Sequence, residues 1–225
     1  MSFFLCIETS TTVCSVALFN QANLLSIREI NNGYTHAENV HVYIKEVLEE
    51  VDVSFEKLAA VCVGKGPGSY TGLRIGVSAA KGIAYAKNIP LIGMNSLQNI
   101  AAGAINTNID NECVFAPMID ARRMEVYLSV FDNKGFEMND TSSFIINEES
   151  LSELSKKYKK IILLGDGAVK CSTFIGKYSN MELLIDQMPS AKNMGNYCFE
   201  KYNNKAFENV AYFEPFYLKE FFSGK

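Results

Sequence analysis

Two stretches of the chain, residues 3–105 and 113–204, run through one order of hydrophobic patterns: strand, strand, strand, helix, strand, helix. Written twice, that order restricts the chain to a pair of similar α/β domains with mixed sheets and a cleft between them. The repeat lies in the order of elements, with no residue-level repeat beneath it. Phe3 to Ile7 is a continuous apolar run, as in a strand buried on both faces. Val13 to Phe19 and Leu24 to Ile30 follow across short polar connections, so the first three strands are expected to form an antiparallel meander.

Thr35 and Glu38 fit a capping box at the start of a helix. Val40, Tyr43, Ile44, Val47, Leu48 and Val51 then recur at helical spacing and make one apolar stripe. Leu58 to Val63 reads as a buried strand and Leu73 to about Ala86 as a helix rich in small residues. Pro90 to Met94 is a short strand, and Ser96 caps a helix ending near Ile105. The polar segment Asn106 to Asn111 is the candidate linker, dividing the chain into domains 1–105 and 106–225. Beyond it, strands are expected at Cys113 to Ile119, Glu125 to Phe131, Phe144 to Ile146 and Ile161 to Leu164, with a helix from Glu148 to about Tyr158. A glycine turn at Gly165-Asp166-Gly167 leads into a further helix. Ser190 caps a last helix, to about Asn204, which is free to pack back on the first domain. The tail Phe213 to Leu218 is extended and aromatic.

Composition removes whole classes of function. Hydrophobic residues make up 48% and charged residues 20% of the 225, an ordinary globular balance that excludes disorder. The net charge of −4 is wrong for a stand-alone nucleic-acid binder, which needs a surplus of Lys and Arg on one face. No apolar run approaches the roughly 18 residues of a membrane span. The start, MSFFLCIE, has no basic leader, and Glu8 ends its apolar run. None of the six cysteines stands in a CxxC pair, so they read as reduced core thiols of a cytoplasmic protein, with no metal site expected.

Several stretches could carry chemistry. Four glycines and a proline between Gly64 and Gly72, placed between a strand and a helix, either cradle a phosphate on bare amides or make a tight turn. The loop matches neither the P-loop nor the G-x-G-x-x-G pattern, since Ser69 stands where the latter needs its third glycine. The hairpin Glu8-Thr9-Ser10-Thr11-Thr12 offers hydroxyls and amides to a phosphate, or is a polar turn. His36 and His41 are five apart, about 140° around a helix, and cannot jointly grip one ion from it. Asp120 ends a strand and either has a task there or pairs with Arg122 or Arg123. The run Lys156, Lys157, Lys159, Lys160 is a solvated helix end or an anion-attracting patch. The small residues Ala79, Ala80, Gly82, Ala84 and Ala86 let another helix approach closely, within the core or from a partner.

These motifs together resemble one family. Ile7-Glu8-Thr9-Ser10 with Ser15-Val16-Ala17-Leu18, then His36-Ala37-Glu38-Asn39, then the run from Gly66 to Gly76 (GPGSYTGLRIG) are similar to the TsaB (YeaZ) family. The stretch Pro117 to Tyr127 (PMIDARRMEVY) and the tail Pro215-Phe216-Tyr217-Leu218 are similar as well, so the likeness spans nearly the whole chain. The resemblance implies the duplicated actin/hexokinase/Hsp70-like (ribonuclease H-like) fold. It implies a non-catalytic, dimerising subunit in bacterial tRNA modification, where threonylcarbamoyl is placed on the adenosine beside the anticodon. The implied partners are a TsaD-like subunit, which carries the metal site and the transfer chemistry, and a TsaE-like ATPase. A homodimer is the alternative assembly, and tRNA is met only through the complex.

Pairing is then expected through two helices of the first domain, with His36, Val40, Tyr43, Val47, Leu73, Val77, Ala80 and Ala84 as candidate partner-binding residues. Thr9, Ser10, Gly66, Gly68 and Ser69 are the candidate phosphate or nucleotide residues. No catalytic or metal-ligating residue is assigned and no cofactor is expected, nucleotide binding being weak or dependent on the partner. TsaD-type proteins hold metal partly through an HxxxH pair, a spacing that His36 and His41 lack. Nucleotide-binding relatives carry Asp at the first hairpin and a Gly-Gly-rich motif late in the chain; here Glu8 and Gly165-Asp166-Gly167-Ala168 stand in those places. Both departures favour a scaffold. Two enzyme readings stand beside it: a nucleotide-dependent phosphotransferase of the same fold, and a glycoprotease-like peptidase, for which no nucleophile, base and metal set assembles.

Overall fold

A computed structural model describes residues 2–33, 35–105 and 112–219. Among the described residues the strands form two five-stranded sheets. The first contains β1 (Phe3–Glu8), β2 (Val13–Asn20), β3 (Asn23–Asn31), β4 (Leu58–Gly66) and β5 (Leu91–Asn95), in the order β3-β2-β1-β4-β5. The expected meander is there: β1, β2 and β3 pair antiparallel, whereas β4 and β5 continue the sheet parallel to β1. The second contains β6 (Cys113–Asp120), β7 (Glu125–Leu128), β8 (Ser142–Ile145), β9 (Lys160–Leu164) and β10 (Met181–Leu184), in the order β10-β9-β6-β7-β8. Its strands β6, β7 and β8 pair antiparallel, and β9 and β10 follow parallel to β6. Counted from its own first strand, the second sheet repeats the order and the directions of the first. The duplicated order of elements is therefore a duplicated topology, that of the actin/hexokinase/Hsp70-like fold.

Parallel neighbours need crossovers, and helices supply them. In the first unit α1 (His36–Glu49) lies between β3 and β4, and α2 (Tyr70–Lys87) between β4 and β5. Their apolar stripes pack on one face of the sheet, against Leu5, Ile7, Val16, Leu18, Val61 and Val63. Strand alternation turns Phe4 to the other face, where α5 (Gly195–Asn203) lies and Phe4 packs on Phe199 and Tyr202. In the second unit alternate residues of β6 and β9 feed two clusters. Val114, Ala116, Met118, Ile161 and Leu163 meet Leu151 and Leu154 of α4 (Glu148–Lys157). Phe115, Ile119, Ile162 and Leu164 meet Leu97, Ile100, Ala101 and Ala104 of α3 (Ser96–Ile105).

That packing moves the division of the chain. One unit comprises Met1–Ser96 and Ser190–Lys225, the other Leu97–Pro189, in place of the expected 1–105 and 106–225. α3 joins the second unit because its apolar face covers the second sheet. The C-terminal segment joins the first because one face of that sheet needs α5 as cover. The expected linker, Asn106 to Asn111, lies outside the described residues.

Local details differ too. The Thr35 hydroxyl accepts from Asn39 Nδ2 at 2.8 Å and makes no cap bond, so the capping box with Glu38 is not formed. Ser96 is the first residue of α3 and spends its hydroxyl elsewhere, and Ser190 caps a 3-10 turn, Ala191–Asn193, ahead of α5. The helix expected after Gly165 is a 3-10 turn, Asp166–Cys171, and β10 follows it unanticipated.

Candidate functional site

The hairpin tip after β1 and the glycine loop after β4 do meet, but they fill one another. Thr9 and Ser10 are fully buried. Thr9 Oγ1 donates to Gly72 O at 2.8 Å, and Ser69 N donates to Ser10 O at 2.7 Å. A Cβ at Gly68 would stand 2.1 Å from Ser10 O, at Gly72 2.2 Å from Thr9 O, and at Gly76 2.2 Å from Thr9 Oγ1. At these three positions the loop and α2 press on the backbone of Ser10 and Thr9 or on the Thr9 side chain, leaving no room for a Cβ. Several of the amides that an anion would use are already donating. Ser10 N goes to Glu8 Oε1 at 2.8 Å, Gly66 N to Ser96 Oγ at 3.3 Å, and Gly72 N to Ser69 Oγ at 3.3 Å. Of the candidate phosphate residues Thr9, Ser10, Gly66, Gly68 and Ser69, the first three and Ser69 thus have donors engaged within the chain, and Gly68 packs on Ser10 O. Glu8 is fully buried beneath them, and a Cβ at Gly64 would lie 2.3 Å from its carboxylate. Burial raises the Glu8 pKa, opposed by Ser10 and by weaker hydrogen bonds from Thr9 and Ser96.

His36 belongs to the same knot. Its Nε2 lies 2.8 Å from Thr11 O, and since a carbonyl only accepts, Nε2 carries the proton and donates. Burial lowers the His36 pKa below its ordinary 6.5, with the Thr11 carbonyl pulling the other way. The unfolded chain therefore takes up this proton at a higher pH than the folded one. The His36 contribution to stability is present above about pH 6.5 and is lost as pH falls towards the lowered folded value. Thermal melts between pH 7.5 and 5.5 are expected to show a fall in midpoint that His36→Gln removes. An equal fall in both proteins would contradict the assignment.

Seven of the eight expected partner-binding residues are buried. Val40, Val47, Leu73 and Ala80 are fully buried, and His36, Val77 and Ala84 are at most 4% exposed. Five of the seven lie in the core beneath the helices, Leu73 packs at Gly66 and His36 lies on the hairpin; Tyr43 is half-buried at the core's margin. The available face is the opposite one. α1 and α2 enclose an open groove of about 700 Å³. Its lining includes Ala37 and His41 from α1, and Tyr70, Arg74, Ile75, Ser78, Gly82 and Ile83 from α2. Ile75 and Ile83 are half-buried, and a Cβ at Gly82 would meet nothing within 4 Å. The groove thus has an apolar floor with an unfilled position. At its rim Arg74 lies 4.1 Å over the Tyr70 ring, and its Nε donates to Tyr217 Oη at 3.2 Å. The returning tail is pinned there as well, through Phe216 N to Lys65 O at 2.7 Å and Lys81 Nζ to Phe213 O at 2.8 Å. A sequence signal for this face existed: Ile75, Ala79, Gly82 and Ile83 recur at i, i+4, i+7 and i+8, a second stripe beside the first.

In the second unit Asp120 pairs with Lys170 at 2.7 Å and accepts from Arg122 N at 2.5 Å, so its partner is a lysine and neither arginine side chain. Asp166 accepts from Asp120 N at 3.2 Å, and burial raises its pKa. Lys159 pairs with Glu112 at 3.4 Å and Lys160 with Glu182 at 3.2 Å, as a solvated surface does.

The family described as "TsaD: tRNA N6-adenosine threonylcarbamoyltransferase" matches residues 32–185, more than half of the chain. The tRNA threonylcarbamoyladenosine biosynthesis protein TsaB of Haemophilus influenzae is 30% identical over 222 residues, 96% of this chain and 92% of that one. Its counterpart in Escherichia coli is 28% identical over 220 residues, covering 96% and 94%. Among solved structures, YeaZ from Pseudomonas aeruginosa covers 97% of this chain and all of its own, with a TM-score of 0.77 at 22% identity. A second Pseudomonas aeruginosa structure, described as similar to peptidase YEAZ, superimposes with a TM-score of 0.82, also at 22% identity. With its doubled topology and kinship along nearly its full length, the chain belongs to the TsaB (YeaZ) family.

Proposed function

We propose that this chain is a non-catalytic docking subunit in the biosynthesis of tRNA threonylcarbamoyladenosine. Its α1–α2 groove receives a helix of a TsaD-like subunit, and a TsaE-like ATPase joins the assembly. tRNA is reached only through that complex, in the cytoplasm. The observation that carries this reading is the contrast between the two places where function could reside. The phosphate-handling corner is closed by Thr9, Ser10, Ser69 and Gly72 hydrogen-bonding to one another. The groove beside it presents Ile75, Ile83 and the open position at Gly82. Small residues between half-exposed aliphatics let a second helix approach to close packing distance. A net charge of −4 favours protein partners over direct contact with a nucleic acid. Among the described residues no helix is long and apolar enough to cross a membrane.

Co-expression with the TsaD homologue of the same genome, followed by native mass measurement, tests the proposal. A complex containing both chains at micromolar concentration is the expected result. Two folded proteins that do not associate would sink it. Calorimetry with ATP and magnesium separates it from the phosphotransferase reading: the isolated chain is expected to give no heat of binding, and tight binding would favour the enzyme.

A further inference from the structure

Cys6, Cys62 and Cys198 are far apart in the chain and meet on the α5 side of the first sheet. Cys6 of β1 and Cys62 of β4 are direct register partners on neighbouring parallel strands. Cys198 comes down on them from α5. The three Sγ atoms all lie within 4.8 Å of one another, and all three residues are fully buried. α5 is held tightly in place: a Cβ at Gly195, one turn before Cys198, would come 2.3 Å from the Phe19 ring. The hydroxyl of the adjacent Tyr197 is committed to Gly93 O at 3.1 Å.

Thiolate–metal bonds of about 2.3 Å put three sulfurs roughly 4 Å apart around a trigonal ion. The observed set needs only a small contraction to reach that. We propose that Cys6, Cys62 and Cys198 form a three-sulfur site for a soft monovalent cation, Cu(I) in class. Structural zinc almost always takes four ligands. Among the described residues no His, Asp, Glu or further Cys joins these three as a fourth. Full burial also keeps out the water that would complete a tetrahedron. Sulfur ligands select soft ions, and Cu(I) accepts three of them. Cu(I) displaces one thiol proton into solvent, which keeps the buried site neutral with one thiolate and two thiols as ligands, so affinity falls as pH falls. The ion enters when α5, a helix of nine residues, opens locally or before it docks.

The test uses the full-length, reduced protein under anaerobic conditions, titrated with Cu(I) against a chromogenic chelator. One sample is titrated folded and one refolded in the presence of the ion. One Cu(I) per chain, an ultraviolet charge-transfer band and a raised melting temperature are expected. Losing an outer-shell partner of a metal ligand costs 10–100-fold, so Cys198→Ala, which removes a ligand, is expected to weaken binding by at least about 100-fold. Cys171→Ala, in the other unit, is expected to bind as the parent does. If circular dichroism shows Cys198→Ala unfolded, Cys62→Ser decides in its place. No uptake by either route, unchanged uptake in these variants, or a mass short of two hydrogens, marking a disulfide within the cluster, would overturn the proposal.

Discussion

Gly72→Ala is expected to destabilise the first unit by about 2–4 kcal/mol, while Gly82→Ala, ten residues further along the same helix, stabilises it by about 0.5–1 kcal/mol. In an open helix both changes would help, since glycine is the poorer helix former. The tertiary surroundings reverse the sign at one of them. A Cβ at Gly72 would sit 2.2 Å from the backbone oxygen of Thr9, and backbone cannot swing aside as a side-chain tip can. Moving it strains the hydrogen bonds of Thr9 to Gly72 and of Ser69 to Ser10, the knot that seals the glycine loop. At Gly82 the new methyl enters open space. Urea denaturation followed by circular dichroism, read on the transition of the first unit, measures both. A Gly72→Ala protein within about 0.5 kcal/mol of the parent would show that α2 does not press on the hairpin as described.

Gly82→Arg is expected to weaken association with the TsaD-like partner by at least about 100-fold, near 2.7 kcal/mol, without unfolding the chain. Arginine is a good helix former, and the position faces solvent, so the fold tolerates it. Its bulk and charge would occupy the space into which a partner helix must descend, and a buried charge without a counter-ion opposes docking. Ala80→Arg provides the contrast. Ala80 is fully buried against the sheet, so that change is expected to abolish the fold itself. Calorimetric titration of the folded variant with the TsaD homologue reads the effect. Parental affinity in Gly82→Arg would move the docking face away from the α1–α2 groove.

Much of the architecture is legible in the order of residues alone. Continuous apolar runs mark β1, β4 and β9, helical spacing marks α1 and α2, and a polar connection sets the β2–β3 turn. Those signals are local, and so they can be read locally. The docking face cannot. The stripe Val40-Ile44-Val47 shows that α1 has an apolar side. Nothing in its spacing says whether the chain's own sheet or another protein covers it. The sheet covers it, and the groove lies on the side of Ala37 and His41. The same limit explains why Thr9, Ser10 and Ser69 read as an anion cradle: their chemistry suits one, but Thr9 Oγ1 and Ser69 N donate across a contact between residues some sixty positions apart.

By itself the sequence determined most of the strands and helices, that the order is used twice, and which family the chain belongs to. Each of these is written in neighbouring residues or in a contiguous motif. Tertiary structure alone decided that α3 leaves the first unit, that the C-terminal segment returns to it, that the glycine loop is shut, and that Cys6, Cys62 and Cys198 converge. The reason is that a side chain's periodicity reports that it must be buried, whereas its partner is chosen by the competition of all faces for cover, and that competition is settled only when the whole chain has folded.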